Sequence, residues 1–276
     1  MIRNDRGDHF LLITQNDHAV LAGELAARIG NARFDGPDPR EPTLLGTAMH
    51  DAGWPLHDDA PTLNAGGLPL HVMEISAPLA TRVWNESAQR AAAADSYAGL
   101  LVSLHVFALS SLAVMKHQNS LDRDAARHEM FLINQFQQTE IERQEIIRPQ
   151  FGLRNDLPRH IGLADPGEDH EEDRLRANLG WLRAMDGISL DLCTGKRVFD
   201  RLPEVYPRVG PVGMELTMVH LEPGVLRIDP WPFSTSTIDL VVPARRVTAA
   251  PFANVEAFRQ AYAAAAVFGH RVRVVR

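Results

Sequence analysis

Residues Tyr97 to Met115, YAGLLVSLHVFALSSLAVM, form a run of 19 without a formal charge. A stretch of that length and polarity has two stable settings: a helix across a membrane, or a helix covered on all sides by protein. His105 at its middle, the hydroxyls of Ser103, Ser110 and Ser111, and the bounding charges Asp95 and Lys116 favour the second. The neighbouring helical segments are strongly polar. The run therefore predicts a helical protein built around residues 96–116, with no membrane contact. The opening MIRNDRGDHFLLIT carries charges at Arg3, Asp5, Arg6 and Asp8 and lacks the apolar core of a signal peptide, so the expected compartment is the cytoplasm.

Helical signals dominate the first two-thirds of the chain. HFLLIT (9–14) reads as a short strand or extended lead-in, and Thr14, Asn16 and Asp17 offer capping oxygens for a helix ending near Gly30. Further helices are expected over about 43–52, interrupted by Gly53 and Pro55, then from Ser76 and Pro78 to about 94, over 96–116, about 121–147 and 171–190. The proline- and glycine-rich stretches 35–42, 55–74 and 154–170 read as loops. After Cys193 eight prolines separate short runs such as MELTMVHL, GVLRID, TIDLVVPA and HRVRVVR, several of which alternate with the strand period. That third predicts a small antiparallel sheet with one helix near 253–265.

Three of these helices carry an ionisable residue on the face that should be buried. His18 aligns with Leu21, Ala22, Leu25 and Ile29; Asp186 aligns with Leu175, Leu179, Leu182, Ser189 and Cys193; His105 lies inside the uncharged run. A lone inward histidine is ordinarily a hydrogen-bonded core residue, and a buried carboxylate costs several kcal/mol unless something pairs with it. The adjacent pair His50-Asp51 alters the balance, because neighbours on a helix lie about 100° apart and both can reach one cation from the same turn. The single cysteine excludes a disulfide framework and any Cys-rich metal site, so a metal here must be held by His, Asp and Glu. Together these residues make an N/O shell suited to a divalent ion, whose charge would also favour ionised Asp186. With 28 Lys+Arg against 35 Asp+Glu the net charge is −7, and without a basic run the chain is unsuited to gripping nucleic acid.

The order His18, His50-Asp51, then a distant Asp186 resembles the HD-domain superfamily of metal-dependent phosphohydrolases. A more specific resemblance covers nearly the whole chain. LLITQNDHAVLAGELA near the start, HDAGWPLHDDAP, LLVSLH at 101–106, DGISLDLC at 186–193 and DPWPF at 229–233 are similar to a bacterial family known as domain of unknown function 3891. Its ITQ-x-DH, HDDGW, SRH-like, D-x-L-S-L and WPF motifs map onto His18, His50, Asp51, Trp54, His105, Asp186 and Trp231-Pro232-Phe233. Ala52 stands where that family carries an acidic residue, and Leu104 where it carries a basic one. This second resemblance implies no activity, so function must be argued from the site.

The HD resemblance implies a mainly α fold: an HD-like helical bundle over about 1–195, with a small α+β subdomain of antiparallel strands, about 196–276, packed on it. It also implies that His18, His50, Asp51 and Asp186 hold a divalent ion (Mn, Fe, Ni, Co, Zn or Mg) with positions open for water, for hydrolysis of a small phosphate ester or nucleotide. In that reading Asp51 and His105 take part in catalysis, His105 as general acid or as ligand to a second ion. Trp54 walls the substrate pocket, and His57, with Asp58 and Asp59, lies in the loop beyond, as a substrate contact or as solvated loop. Two alternatives stay open. A di-iron HD-type oxygenase would recruit His105 and His128, and a non-catalytic module would use the metal or a His–Asp network for structure. The expected partner is a small-molecule substrate, a homodimer being left open. His71, His117, His160, His170, His220 and His270 read as ordinary surface or turn residues, and the WPF segment as buried against the helices.

Overall fold

The structure is a computed structural model that describes residues 1–118, 123–155, 167, 169–198 and 201–276. In chain order its elements are β1 (Ile2–Asp5), β2 (His9–Ile13), α1 (Gln15–Ala26), α2 (Arg40–Met49), the single turn α3 (Pro55–Asp58), α4 (Ala77–Ala94), α5 (Ser96–Gln118), α6 (Arg123–Ile147), α7 (His170–Thr194), β3 (Thr217–Glu222), β4 (Val225–Asp229), β5 (Thr237–Thr248), α8 (Val255–Ala264) and β6 (Val267–Val275). A one-turn 3-10 helix, Val72–Glu74, interrupts the segment expected to be loop, as does α3. Most of the expected loop 154–170, with His160, lies outside the described residues, as do residues 121 and 122 and the side chain of His117.

Local chemistry accounts for the helix ends. Thr14 Oγ1 accepts from the Asp17 N–H at 3.0 Å and starts α1; the Asp169 carboxylate accepts from the N–H groups of Glu171 and Glu172 and starts α7. The acidic first turn of α7 also suits the positive end of its dipole. At its other end Gly195 takes the left-handed conformation, with φ of 69°, that closes a helix.

The six strands form one sheet in the order β1-β2-β5-β6-β4-β3. The expectation of a purely antiparallel sheet is corrected here, because β4 runs parallel to β6. Alternation of apolar and polar residues is the same in either orientation, so strand period cannot tell them apart. Strand β1 was not expected. Its four residues IRND are short and polar, and they become a strand by pairing with β2 across a turn at Gly7, with φ of 86°. The β1–β2 hairpin then joins β5, so the sheet takes strands from both sides of residue 195. Phe233 of the WPF segment is buried and bridges to Ile29 beyond the end of α1, while Trp231 is only half-buried.

Helix α7 lies between this sheet and the other helices and is buried along nearly its whole length. Trp181, Met185 and Ile188 join the core under the sheet, where α7 meets β1 and β6, and Leu175, Leu179 and Leu182 pack with Leu100, Leu101 and Leu104 of α5. Helix α5 is long and apolar enough, over Ser96–Met115, to cross a membrane by length and composition. Its first half, to Val106, is covered by α2, α4, α6 and α7, whereas Leu112 and Met115 in the second half are exposed. The all-round burial expected from sequence holds only for that first half.

Gly53, just past the turn that carries His50 and Asp51, stands where no side chain fits. A Cβ on Gly53 would lie 2.1 Å from the Val83 carbonyl oxygen and 2.6 Å from the Ser87 nitrogen, both backbone atoms of α4. Gly53 N–H donates to Ser87 Oγ at 2.9 Å, which fixes the His50-Asp51 turn against that helix. Gly53→Ala should therefore force the two backbones apart and cost about 1–3 kcal/mol or more, read as a lowered midpoint in urea denaturation. An unchanged midpoint would show that this approach is not constraining.

Candidate metal centre

Four separate helical segments deliver the inward ionisable residues to one place. His18 comes from the first turn of α1, His50 and Asp51 from the turn ending α2, His105 from α5 and Asp186 from α7. All five are buried. His18 Nε2 lies 3.2 Å from Asp51 Oδ2, 3.3 Å from His50 Nε2 and 3.5 Å from Asp186 Oδ1. His50 Nε2 lies 3.3 Å from Asp186 Oδ1, and His105 Nε2 lies 3.7 Å from Asp186 Oδ2.

The surrounding hydrogen bonds decide where the ring protons sit. Ser189 Oγ–H donates to the Asp186 carbonyl at 2.9 Å, leaving its oxygen to accept from His18 Nδ1–H at 2.8 Å. His50 Nδ1–H donates to the Thr47 carbonyl, also at 2.8 Å. With Nδ1 so engaged, each ring turns Nε2 toward the other and toward two carboxylates. Asp51 is oriented by Trp54 Nε1–H on Oδ1 and by Gln15 Nε2–H on Oδ2, each at 3.0 Å. Such outer bonds set tautomer and ring orientation around metals.

An assembly of facing lone pairs and carboxylates needs a cation or a proton between its members. The shifts reflect this. Burial pushes His50 down, but Asp51 and Asp186 outweigh it and raise the imidazole to about 9. Burial pushes the Asp186 carboxyl up, and the three histidines around it outweigh that and hold it well below the usual range. His105 is pushed down to about 4 by burial, so it is neutral near pH 7. Neither of its ring nitrogens has a hydrogen-bond partner among the described residues. An orphaned, buried, neutral imidazole beside a carboxylate is a fitting ligand for a divalent ion. Two overlapping groups could each hold one: His18, His50 and Asp51, and His50, His105 and Asp186, with ligand atoms within 4.8 Å of one another in each.

A cavity of about 220 Å³ opens beside the cluster. His50, Asp51, His105 and Asp186 line one end, and Trp54, placed by its bond to Asp51, forms part of the wall. His57 does not join it. Its ring is buried between Asp58 Oδ1 at 2.9 Å and Thr62 Oγ1 at 3.1 Å, so the loop histidine is an internal strut. Asp58, also buried, pairs with the Met1 ammonium at 2.9 Å and accepts from Gln15 N–H at 2.8 Å; Asp59 is exposed. His128 is exposed on α6, outside both groups. His220, read as surface, donates its Nε2–H to the buried Asp191 carboxylate at 2.9 Å.

Sequence reasoning missed Gln15, Thr47, Ser189 and Trp84, which line or orient the site. Ser189 lies on the same stripe as Asp186, and Thr47 is one turn before His50, so helical spacing held a signal for both. Gln15 had none, since its role depends on the meeting of α1 with the turn after α2.

The fold and the cluster define a protein about half helical, with a mixed sheet and a buried His/Asp centre able to take a metal ion. The chain belongs to the family described as protein of unknown function (DUF3891), which it matches over residues 1–249, a span that includes every residue of the cluster. No curated protein and no solved structure matches it.

The cavity wall also depends on a neutral histidine. Val72 and Met73 line the cavity from the 3-10 turn, and His71 caps that turn by accepting the Met73 N–H on Nδ1 at 3.1 Å. Burial, aided by Arg3, lowers His71 from 6.5 to about 4. Its folded value lies below its unfolded one, so its contribution is full above pH 6.5 and is lost as pH falls toward 4. His71 should thus remove up to ~3 kcal/mol of stability across that window. His71→Asn, which caps without titrating, should flatten that part of the stability–pH curve in urea denaturation. Parallel curves for the two proteins would refute the assignment.

Proposed function

We propose that the protein is a divalent-metal-dependent phosphohydrolase acting on a small phosphate ester, with His18, His50, Asp51 and Asp186 as the metal ligands. The observation that carries the reading is the convergence of two imidazole Nε2 atoms and two buried carboxylates, from three separate helical segments, within 3.2–3.7 Å contacts. The order of these residues along the chain, shared with HD-domain phosphohydrolases, supports it. A bound divalent ion supplies an acidified water and a polarised phosphoryl oxygen.

The chain's own residues set the rest. Ser189 and Thr47 fix the tautomers of His18 and His50, and Gln15 and Trp54 hold Asp51 in place. His105, neutral and without a partner, can either complete the ligand set with His50 and Asp186 or present a ring N–H to the departing oxygen. The cavity reaches His50, Asp51, His105 and Asp186 from one side, and such an open approach favours a catalytic over a closed structural site. An oxygenase with two irons would need more ligands than these, and His128, the candidate for that role, stands apart on the exposed face of α6.

Elemental analysis of protein purified without a histidine tag should find about one Mn, Fe, Co, Ni or Zn per chain, the ions that mixed N/O donors favour. Asp186→Ala should abolish retention, and Ser189→Ala should weaken it by about 10- to 100-fold while leaving the circular dichroism spectrum unchanged. Metal-loaded protein should release phosphate from small esters. Failure to bind any divalent ion after loading would exclude the proposal, and two irons with oxygen-dependent turnover would replace it.

A further inference from the structure

The cavity is divided by chemistry. Its ionisable groups stand at the cluster end, and the remaining walls come from side chains such as Trp54, Trp84, Ile75, Leu109, Ile133 and Leu190. No Lys or Arg lines it among the described residues. At the mouth Met73 and Leu112 are 49% and 46% exposed, so the rim too is apolar. At about 220 Å³ it falls below the usual range of cavities for drug-sized ligands.

Each observation bears on what the cavity takes. A nucleoside would bring a sugar and base whose polar edges need partners, and beyond the cluster the walls offer none. A second anionic group would be buried without a cation. A flat apolar ring meets the two indole faces and the Met73 thioether favourably and loses no hydrogen bonds on leaving water. One further polar atom lies in the wall: Gln15 lines the cavity, its Nε2 is committed to Asp51, and its buried Oε1 has no partner. That oxygen has almost no accessible surface, so the polar contacts open to a ligand are those of the His/Asp cluster itself.

From this we infer that the cavity binds a small, uncharged aromatic group carrying one oxygen directed at the His/Asp cluster. In the phosphohydrolase reading, on which this part rests, the substrate is an aryl phosphate and the product a phenol. The P–O bond to the aryl oxygen breaks, water supplies the hydroxyl that the phosphate gains, and the aryl oxygen takes up a proton.

The experiment pairs binding with turnover. Calorimetric titration with naphthol, on metal-free and metal-loaded protein, tests the cavity alone; naphthyl phosphate and adenosine monophosphate, on metal-loaded protein, test the ester. Naphthol should bind both forms, and Trp84→Leu should weaken binding about tenfold. Leu112→Lys, at the exposed rim, should weaken it as well without touching the core. Naphthyl phosphate should be cleaved about 50- to 100-fold more efficiently than the nucleotide, the ratio expected from burying on the order of 100 Å² of apolar surface. Naphthol binding that responds to both variants, without hydrolysis of either ester, would uphold the cavity assignment and remove the phosphohydrolase reading. Nucleotide cleavage equal to or better than aryl cleavage, with no naphthol bound, would overturn the assignment and leave that reading standing. Neither binding nor cleavage would overturn both.

Discussion

Between α1, the turn after α2, and α7, two imidazole nitrogens and two carboxylate groups approach one another at 3.2–3.7 Å. In water such groups would separate. In the interior, where the dielectric is low, their mutual repulsion and lost hydration would amount to several kcal/mol without a positive charge among them. Everything around the cluster bears on keeping them together. Hydrogen bonds from Gln15 and Trp54 hold Asp51, acceptors at Ser189 and Thr47 turn His18 and His50, and Gly53 lets the His50-Asp51 turn lie flush on α4. The arrangement is organised for a cation, with a proton on His50 meeting the same need when none is bound.

The scaffold explains why Asp186 can stay where it is. Helix α7 is clamped between the sheet and the helices, with one side against β1 and β6 and another against α5. Rotating it to carry Asp186 toward water would expose Leu182 and Ile188, which are fully buried. At about 25 cal/mol for each Å² of apolar surface, that exposure costs several kcal/mol, comparable with the penalty on the carboxylate. Packing therefore enforces the polar convergence, and the cavity beside it provides access to four of the five residues.

The centre was legible in the sequence because helices have a simple period. His18, His105 and Asp186 stand out once the 3.6-residue repeat predicts an apolar neighbour on every side, and the His50-Asp51 pair follows from adjacency. What supports them was less legible. Gln15 reaches Asp51 only after α1 has packed on the turn beyond α2, and no local pattern encodes that meeting. His57 and His71 looked like loop residues because proline and glycine surround them, yet each is buried by long-range packing. The long helices were anticipated to within a few residues, and most strands by alternation, whereas the short turns of helix within 55–74 were not. The partnership of β1 and β2 with β5, and the parallel β4–β6 pair, were not, since strand period carries no information about which strand lies alongside or in which direction.

That pairing also constrains how the centre is assembled. His9 lies opposite Thr248 in the sheet, and α1, with His18 in its first turn, begins two residues after β2 ends. The strand that leads to His18 is thus paired on one side with its sequence neighbour β1 and on the other with a strand made near the far end of the chain. Contacts so distant in sequence form late, after loop-closure entropy has been overcome. During synthesis the helices carrying His50, His105 and Asp186 are all available before β5 exists. Helix α1, however, packs chiefly on α2 and α7, both made before β5, so the cluster residues can gather first and pairing of β2 with β5 then locks the segment that leads into α1.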